Sequence, residues 1–520
     1  MRQLILQKNA YYDSVFLMQL SLELKDGANL LEAFVSMGTP TNREMLEKMG
    51  YSGEELDQAR PEDLLIALEA EDGSRFEEAR SLLHRLLAGK QTKVQTEAGY
   101  RPRSLEQGLR SIKDANLAII SVPGAYASHE AKRALEHGLH VMLFSDNVSL
   151  EEEITLKHMA RERGSLMMGP DCGTAILNGA PICFANVVRR GSIGIVGASG
   201  TGIQEVSCAV HRMGAGISQA IGTGGRDLLP EVGGLMMISG IEALAADPQT
   251  KVLVLISKPP HPEVAEKMIS LLEGVGKPGV VCFVGEEPEN PRGRVRFAKT
   301  LTEAAALAVT AISEPANQGS RGIPQEEMES IARQEISLIT MQQRYLRGLF
   351  SGGTLADEAI FLLESEIGPI HSNLHSGGPW RLNNPERSVE HTIIDLGDDY
   401  FTRGKPHPMI DFTSRNERIL QEANDPQTAV VLLDVVLGYG SHPSPAEALR
   451  GTILRAKARV TERGGYLSVI ASITGTDQDP QGFTRQVEIL TSLGCRVMPS
   501  NSEAACLAGE VTRAVGEGMR

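Results

Sequence analysis

Aromatic residues make up only 4% of this 520-residue chain, with a single tryptophan, too few for the stacking platforms that hold single-stranded nucleic acid or for ring-rich sandwich cores. Positive charge is also short. Lys and Arg number 51 against 66 Asp and Glu, a formal net charge of −15, and with no basic cluster in view this excludes nucleic acid and anionic membrane surfaces as partners. No window holds the roughly 18 uninterrupted apolar residues of a bilayer span, and MRQLILQKNAYYDSV lacks the apolar region and cleavage motif of a secretory signal. The six cysteines, Cys172, Cys183, Cys208, Cys282, Cys495 and Cys506, form no CxxC pair, so reduced thiols in a cytoplasmic protein are expected. Neither HExxH nor an EF-hand loop occurs, so no metal is expected. Small molecules and protein partners remain.

What the chain has in quantity is glycine, 53 residues, and apolar residues, 41%. Its length predicts roughly three or four domains. Short apolar runs alternate with helix-period stretches throughout, the pattern of parallel sheets flanked by helices, so the class is multidomain α/β. Four segments follow: a small α/β domain over 1–95 with a linker near 89–99, a Rossmann-like domain over 96–188, and flavodoxin-like domains over 189–320 and 321–520. In the second segment a helix is expected from about Ser128, and Ser149 with Glu152 has the spacing of a capping box. No GxGxxG precedes its first strand, NLAIISV.

The last two segments repeat each other. GIVGASGTGIQEV parallels GLFSGGTLADEA, and Asp247-Pro248-Gln249-Thr250 recurs as Asp425-Pro426-Gln427-Thr428, each ahead of an apolar run. The spacing between these landmarks is about 25 residues longer in the second copy. That places an insertion, PIHSNLHSGGPWRLNNPERS, whose polar, turn-rich composition predicts a surface loop. An internal duplication about a pseudo-twofold axis is the expectation.

Each copy offers a glycine turn between strand and helix: Ser199, Gly200, Thr201 and Gly202 in one, Ser351, Gly352, Gly353 and Thr354 in the other. Successive backbone N–H groups, hydroxyls and the positive end of a helix dipole suit phosphate or carboxylate, although such a turn also serves simply to cap a helix. The second strand of each copy ends in a polar turn, Gly222-Thr223-Gly224-Gly225-Arg226-Asp227 and Asp395-Leu396-Gly397-Asp398-Asp399, expected beside the glycine turns because ligands of open parallel sheets sit beyond the strand ends. Arg226 is a candidate anion clamp and Asp227 its orienter, or the two form a surface pair. In the run 403–411, prolines fix the backbone around Lys405 and His407, which suits anion binding and proton transfer, with Asp398 as another proton-transfer candidate. His442 reads as a loop residue on the same sheet edge, Lys258 as part of a rigid loop bordering the cleft, and Cys172 as a thiol without an activating cation.

The segments NLAIISVPGAYASHEAKRALEHGLHVMLFSDNVS, MMGPDCGTAI and GSIGIVGASGTGIQE resemble the α subunit of succinyl-CoA synthetase, and the fourth segment is similar to the ligase domain of its β subunit. Over essentially the whole chain, YYDSVFLM, GTGGRDL, ISKPP, GLFSGGTL, DLGDD and GKPHPMID resemble the FdrA-like group of acyl-CoA-synthetase-related proteins. The resemblance implies a CoA-binding type of second segment, ligase-type third and fourth segments, CoA as a possible cofactor, and helix N-termini that face a phosphoryl group. Succinyl-CoA synthetases carry a phosphorylated histidine after the strand equivalent to VVCFVG; here that stretch is GEEPENPRGRVRFAKT, without histidine. The FdrA-like resemblance therefore implies a ready-made acyl phosphate: a subunit of an oxamate- or oxalurate-type carbamoyltransferase using carbamoyl phosphate in anaerobic allantoin catabolism, assembled with other subunits or with itself. A succinyl-CoA-synthetase-like ligase and a noncatalytic scaffold are the alternatives.

Overall fold

The computed structural model describes residues 1–10, 12, 14–95, 102, 104–312, 322–402 and 405–517. The chain divides into two compact units, one of Met1–Val141, Ser145–Val148 and Thr402–Pro406, the other of Met142–Phe144, Ser149–Phe401 and His407–Arg520.

The smaller unit opens with an antiparallel sheet in the order Arg2–Gln7, Leu64–Glu69, Glu32–Met37. Its central strand is an apolar run because both of its faces are covered. Leu64, Ile66 and Leu68 pack with Leu20, Leu24 and Leu83 from the helices Ser14–Gly27 and Ser74–Gln95, while Leu65 and Ala67 meet Leu46, Tyr51 and Leu56. The linker expected over 89–99 is helical as far as Gln95, and the rest lies outside the described residues. The helix expected from Ser128 begins four residues earlier, at Gly124, where Pro123 supplies the extended N-cap backbone.

The larger unit holds two sheets. The first runs Val295–Phe297, Gly279–Phe283, Val252–Ser257, Arg190–Gly197, Ile217–Gly222, all parallel, and is extended by the antiparallel strands Thr174–Leu177 and Ala180–Cys183. The second runs Arg496–Met498, Ser468–Thr474, Thr428–Val436, Tyr345–Phe350, Thr392–Asp395, His371–Ser372, parallel throughout. Setting aside the edge additions, the parallel strands of both sheets follow the order 2-1-3-4-5 of flavodoxin-like domains. Both Asp-Pro-Gln-Thr turns feed the third of these strands, so the repeat legible in the sequence is a repeat of topology.

The insertion departs from the surface loop expected of it. His371–Ser372 joins the sheet beside Thr392–Asp395, and Ile370, Ser372 and Leu382 are buried. Two apolar residues within a polar stretch anchor it to the core. The capping box is as read: Ser149 Oγ accepts the Glu152 N–H, and the Glu152 carboxylate accepts the Ser149 N–H at 3.1 Å.

Candidate functional site at two joined helix ends

In each half of the larger unit, the first parallel strand turns directly into a helix, Arg190–Gly197 into Gly200–Arg212 and Tyr345–Phe350 into Gly353–Ile367. Aligning the helix starts sets Ser199 against Gly352, Thr201 against Thr354 and Glu205 against Glu358. The two turns meet. Ser199 Oγ lies 2.6 Å from Thr354 Oγ1, and a β-carbon on Gly352 would stand 2.6 Å from Thr201 Cγ2, so a side chain at Gly352 would force the loops apart.

The two helix ends differ in their caps. Ser199 Oγ accepts the Gly202 N–H at 2.9 Å, satisfying one of the free donors of its own helix. Gly352 has no side chain to do the same, so the first turn of the second helix keeps its donors for something else. Charged groups gather there. Lys258, at the end of Val252–Ser257, pairs with Asp357 at 2.7 Å while its side chain stays 45% exposed. A β-carbon on Gly353 would stand 2.7 Å from Asp395 Oδ2 and 3.3 Å from Lys258 Nζ. Burial draws the Lys258 ammonium down, but the carboxylates of Asp357, Asp395 and Asp398 outweigh it and hold it above its ordinary value. Asp395 is 7% exposed, and burial, opposed by Lys258, pushes its carboxyl up to about 7.

His407 borders the same turn. A β-carbon on Gly397 would stand 2.8 Å from His407 Nε2 and 2.9 Å from the Ser351 carbonyl. His407 Nδ1 accepts the Met409 N–H at 3.2 Å, which leaves the proton on Nε2, and burial lowers its pKa to about 4, so it is a neutral donor at pH 7.

Other candidates have different work. Ser351 gives both its N–H and its hydroxyl to Asp434, each at 2.8 Å, and Asp434 is paired with buried Arg415. Asp227, expected to orient a ligand, is fully buried. Its carboxylate takes the Met236 and Met237 N–H groups and the Lys157 ammonium, capping the helix Leu235–Ala246. Arg226, expected to clamp an anion, lies 2.8 Å from the Glu153 carboxylate. Gly222 and Gly224 allow close backbone approach: β-carbons there would reach Thr174 O at 2.4 Å and Pro170 O at 2.5 Å. Thr223 is buried with its N–H on the Gly197 carbonyl, whereas Gly225 faces open space. Asp398 accepts the Tyr400 N–H at 2.9 Å, capping the turn Asp399–Thr402. Lys405 belongs to the smaller unit and is exposed, while Arg403 and Gly404 lie outside the described residues. Cys172 is buried, and that burial pushes its thiol up to about 12, which makes it inert as a nucleophile. His442 Nδ1 accepts the Ser444 N–H at 3.0 Å, the loop role expected of it.

Asp357 and Asp395 gained no role from sequence reasoning, and Lys258 was placed only on a bordering loop. For Lys258 the signal was the mismatch between the copies. Aligning the Asp-Pro-Gln-Thr turns sets Lys258 against Val436 and Ile256 against Asp434, so charge changes sides between the halves at these two positions.

Three family models match: a CoA-ligase over residues 349–511, a CoA binding domain over 188–285, and the AllF heavy metal-associated domain over 1–102. Residues 1–102 contain no cysteine and a single histidine, His84. Among the described residues no group of three or more His, Cys, Asp or Glu side chains is placed to hold a metal, so the residues present do not fit a bound metal ion. No helix among the described residues is long and apolar enough to cross a membrane. The α-2 subunit of the ADP-forming succinate–CoA ligase of Trichomonas vaginalis is 30% identical over 36% of this chain and 62% of its own length. The SauD subunit of the ADP-forming sulfoacetate–CoA ligase of Bilophila wadsworthia is 29% identical over 35% of this chain and 65% of its own length. This chain thus spans less than two thirds of these ligase subunits. YahF of Escherichia coli (strain K12) is 43% identical over 98% of both chains. Together with the CoA-ligase and CoA-binding matches, this end-to-end likeness shows that the chain belongs to the FdrA-like family of acyl-CoA-synthetase-related proteins.

Proposed function

We propose that the chain binds carbamoyl phosphate at the joined helix ends and serves as a subunit of a carbamoyltransferase of the oxamate or oxalurate type in anaerobic allantoin catabolism, assembled with itself or with other subunits. One observation carries this reading: the uncapped first turn at Gly353 lies beside Lys258, in contact with the capped end at Ser199. Backbone donors, a helix dipole and an ammonium converge where a phosphate dianion would sit. The stretch 285–300 has no histidine to accept a phosphoryl group, so the phosphate has to arrive already joined to the group being transferred.

In the forward step the acceptor nitrogen attacks the carbamoyl carbon, the N–C bond forms, and the C–O bond to phosphate breaks. The proton shed by the nitrogen leaves with the phosphate. Lys258 and the Gly353 turn stabilise the charge growing on the departing phosphate, and His407 Nε2–H is the donor for the carbonyl oxygen.

An acyl-CoA ligase is the second reading, favoured by the CoA-ligase and CoA binding domain matches. CoA would need a cradle for its diphosphate. In the segment read as the CoA-binding type, a β-carbon on Gly124, first residue of the helix Gly124–Glu136, would stand 2.4 and 2.6 Å from the carbonyl oxygens of Asp146 and Asn147. That turn is narrow, but the CoA binding domain match covers residues 188–285, where Ser199 caps the start of the helix Gly200–Arg212, so the ligase reading keeps a cradle of its own. Isothermal titration of the purified chain with carbamoyl phosphate, CoA and ATP in turn separates the readings. Binding of carbamoyl phosphate alone is expected. CoA binding without carbamoyl phosphate would favour the ligase, and silence with all three would favour a scaffold.

A further inference from the structure

The Gly353 helix end already faces an anion supplied by the protein. Asp395 Oδ1 accepts the Gly397 N–H at 2.8 Å, and its backbone is held on both sides by Asn373. Asp395 Oδ2 is turned toward Gly353 and accepts no hydrogen bond from any described residue. The nearby ammonium of Lys258 is engaged by Asp357. The groups facing Asp395 are thus Lys258 from the first half, Asp357 from the helix, Asp398 from its own turn, and His407 across Gly397. This is a carboxyl more than nine-tenths buried, with a free oxygen aimed into the place where the phosphoryl group would bind.

Two anions in one small pocket repel each other unless a proton stands between them, and a shared proton turns that repulsion into a short charge-assisted O–H···O bond. We infer that Asp395 shares one proton with the bound anion: inorganic hydrogen phosphate can bring that proton itself, whereas sulfate and the carbamoyl phosphate dianion, neither of which carries one at neutral pH, take it from Asp395. The inference rests on the reading of this turn as the phosphoryl site. The tendency of Asp395 to hold its proton to about pH 7 is in keeping with that role. Asp395 is unlike the other acids of the site: Asp357 has its counter-ion in Lys258, and Asp398 caps a turn.

The test is titration of the full chain with inorganic phosphate and with sodium sulfate between pH 6.5 and 8.5, in two buffers of different ionisation enthalpy so that proton uptake is read directly. The wild type is expected to bind phosphate at least about tenfold more tightly than sulfate at pH 8. Sulfate should bind with uptake of about one proton, its affinity falling about tenfold per pH unit above 7. Asp395→Asn should bind both anions alike, with no proton uptake and a flat pH profile for sulfate. Retention of the phosphate preference in Asp395→Asn, or sulfate binding to the wild type without proton uptake, would overturn the inference; the second readout needs no variant to fold. Lys258→Ala tests the site itself: it should weaken both anions and leave their ratio unchanged. A wild-type chain that binds neither anion would sink the phosphoryl-site reading and this inference with it.

Discussion

Lys258 and Val436 hold the same position in the two copies, yet only the lysine has a charge to offer, so a single side chain makes the duplicated turns unequal. Lys258→Ala removes an ammonium that is partly exposed, but it leaves Asp357, whose Oδ2 is buried, without its counter-ion, so a modest loss of stability is expected. Its effect on ligand should be large: about a tenfold or greater loss of carbamoyl phosphate affinity by calorimetry, measured well below the unfolding transition so that the chain stays folded. Gly353→Ala tests the other half of the site. The new methyl would press on Asp395 Oδ2 and Lys258 Nζ, both side-chain ends, so the backbone can stay in place while the anion pocket fills. Loss of binding with normal circular dichroism is the expected result, and undiminished binding would place the ligand elsewhere.

The strand-to-helix turns are built by different means in the two halves. In the first, Ser199 caps its own helix and touches Thr354; Ser199→Ala should cost about 1 kcal/mol in chemical denaturation. In the second, the turn is held from beneath by Asp434, which binds Ser351 twice and is itself neutralised by Arg415, both fully buried. Asp434→Ala strands a guanidinium in the core and should cost roughly 3 to 5 kcal/mol, whereas Asp434→Asn keeps an acceptor for Ser351 and should cost less. Much of this architecture was legible from the sequence, because a duplication writes its motifs twice and the Asp-Pro-Gln-Thr turns fix the register of the third strand in both copies. What stayed hidden was the division of labour among polar residues at strand ends. Asp227 looks like a ligand-facing acid until Lys157, 70 residues away, and the N–H groups of Met236 and Met237 are seen to surround it. Ile370 and Leu382 likewise anchor a stretch whose composition reads as solvent-facing. One-dimensional patterns report which residues are polar at the end of a strand, and only packing decides whether water, ligand or protein meets them.

Within the larger unit the halves are joined by buried polar contacts as well as by the touching turns. Asn186 binds the Leu437 carbonyl and Asp479, Glu205 takes the Thr474 hydroxyl, and Glu358 takes the Leu301 N–H at 2.7 Å and the Asn501 amide at 2.8 Å. Glu205 and Glu358 are the same helix position in the two copies, so the duplication places a buried acid on each side of the junction. Among the described residues no cation pairs with Glu358, and burial pushes its carboxyl up to about 7. The folded molecule therefore favours the protonated form. A carboxyl whose folded pKa is raised gives its stabilisation fully below the unfolded value near 4.5 and loses it as pH rises through the folded value. Stability of the larger unit should accordingly fall between about pH 4.5 and 7, by roughly 3 kcal/mol in all if Glu358 acts alone. Glu358→Gln removes the titrating proton while keeping an oxygen for the Leu301 N–H. Guanidinium unfolding at pH 5 and pH 8 is expected to show a large loss for the wild type and a much smaller one for Glu358→Gln. Equal losses in the two proteins would assign the pH dependence to other acids and leave Glu358 a permanently charged member of the junction.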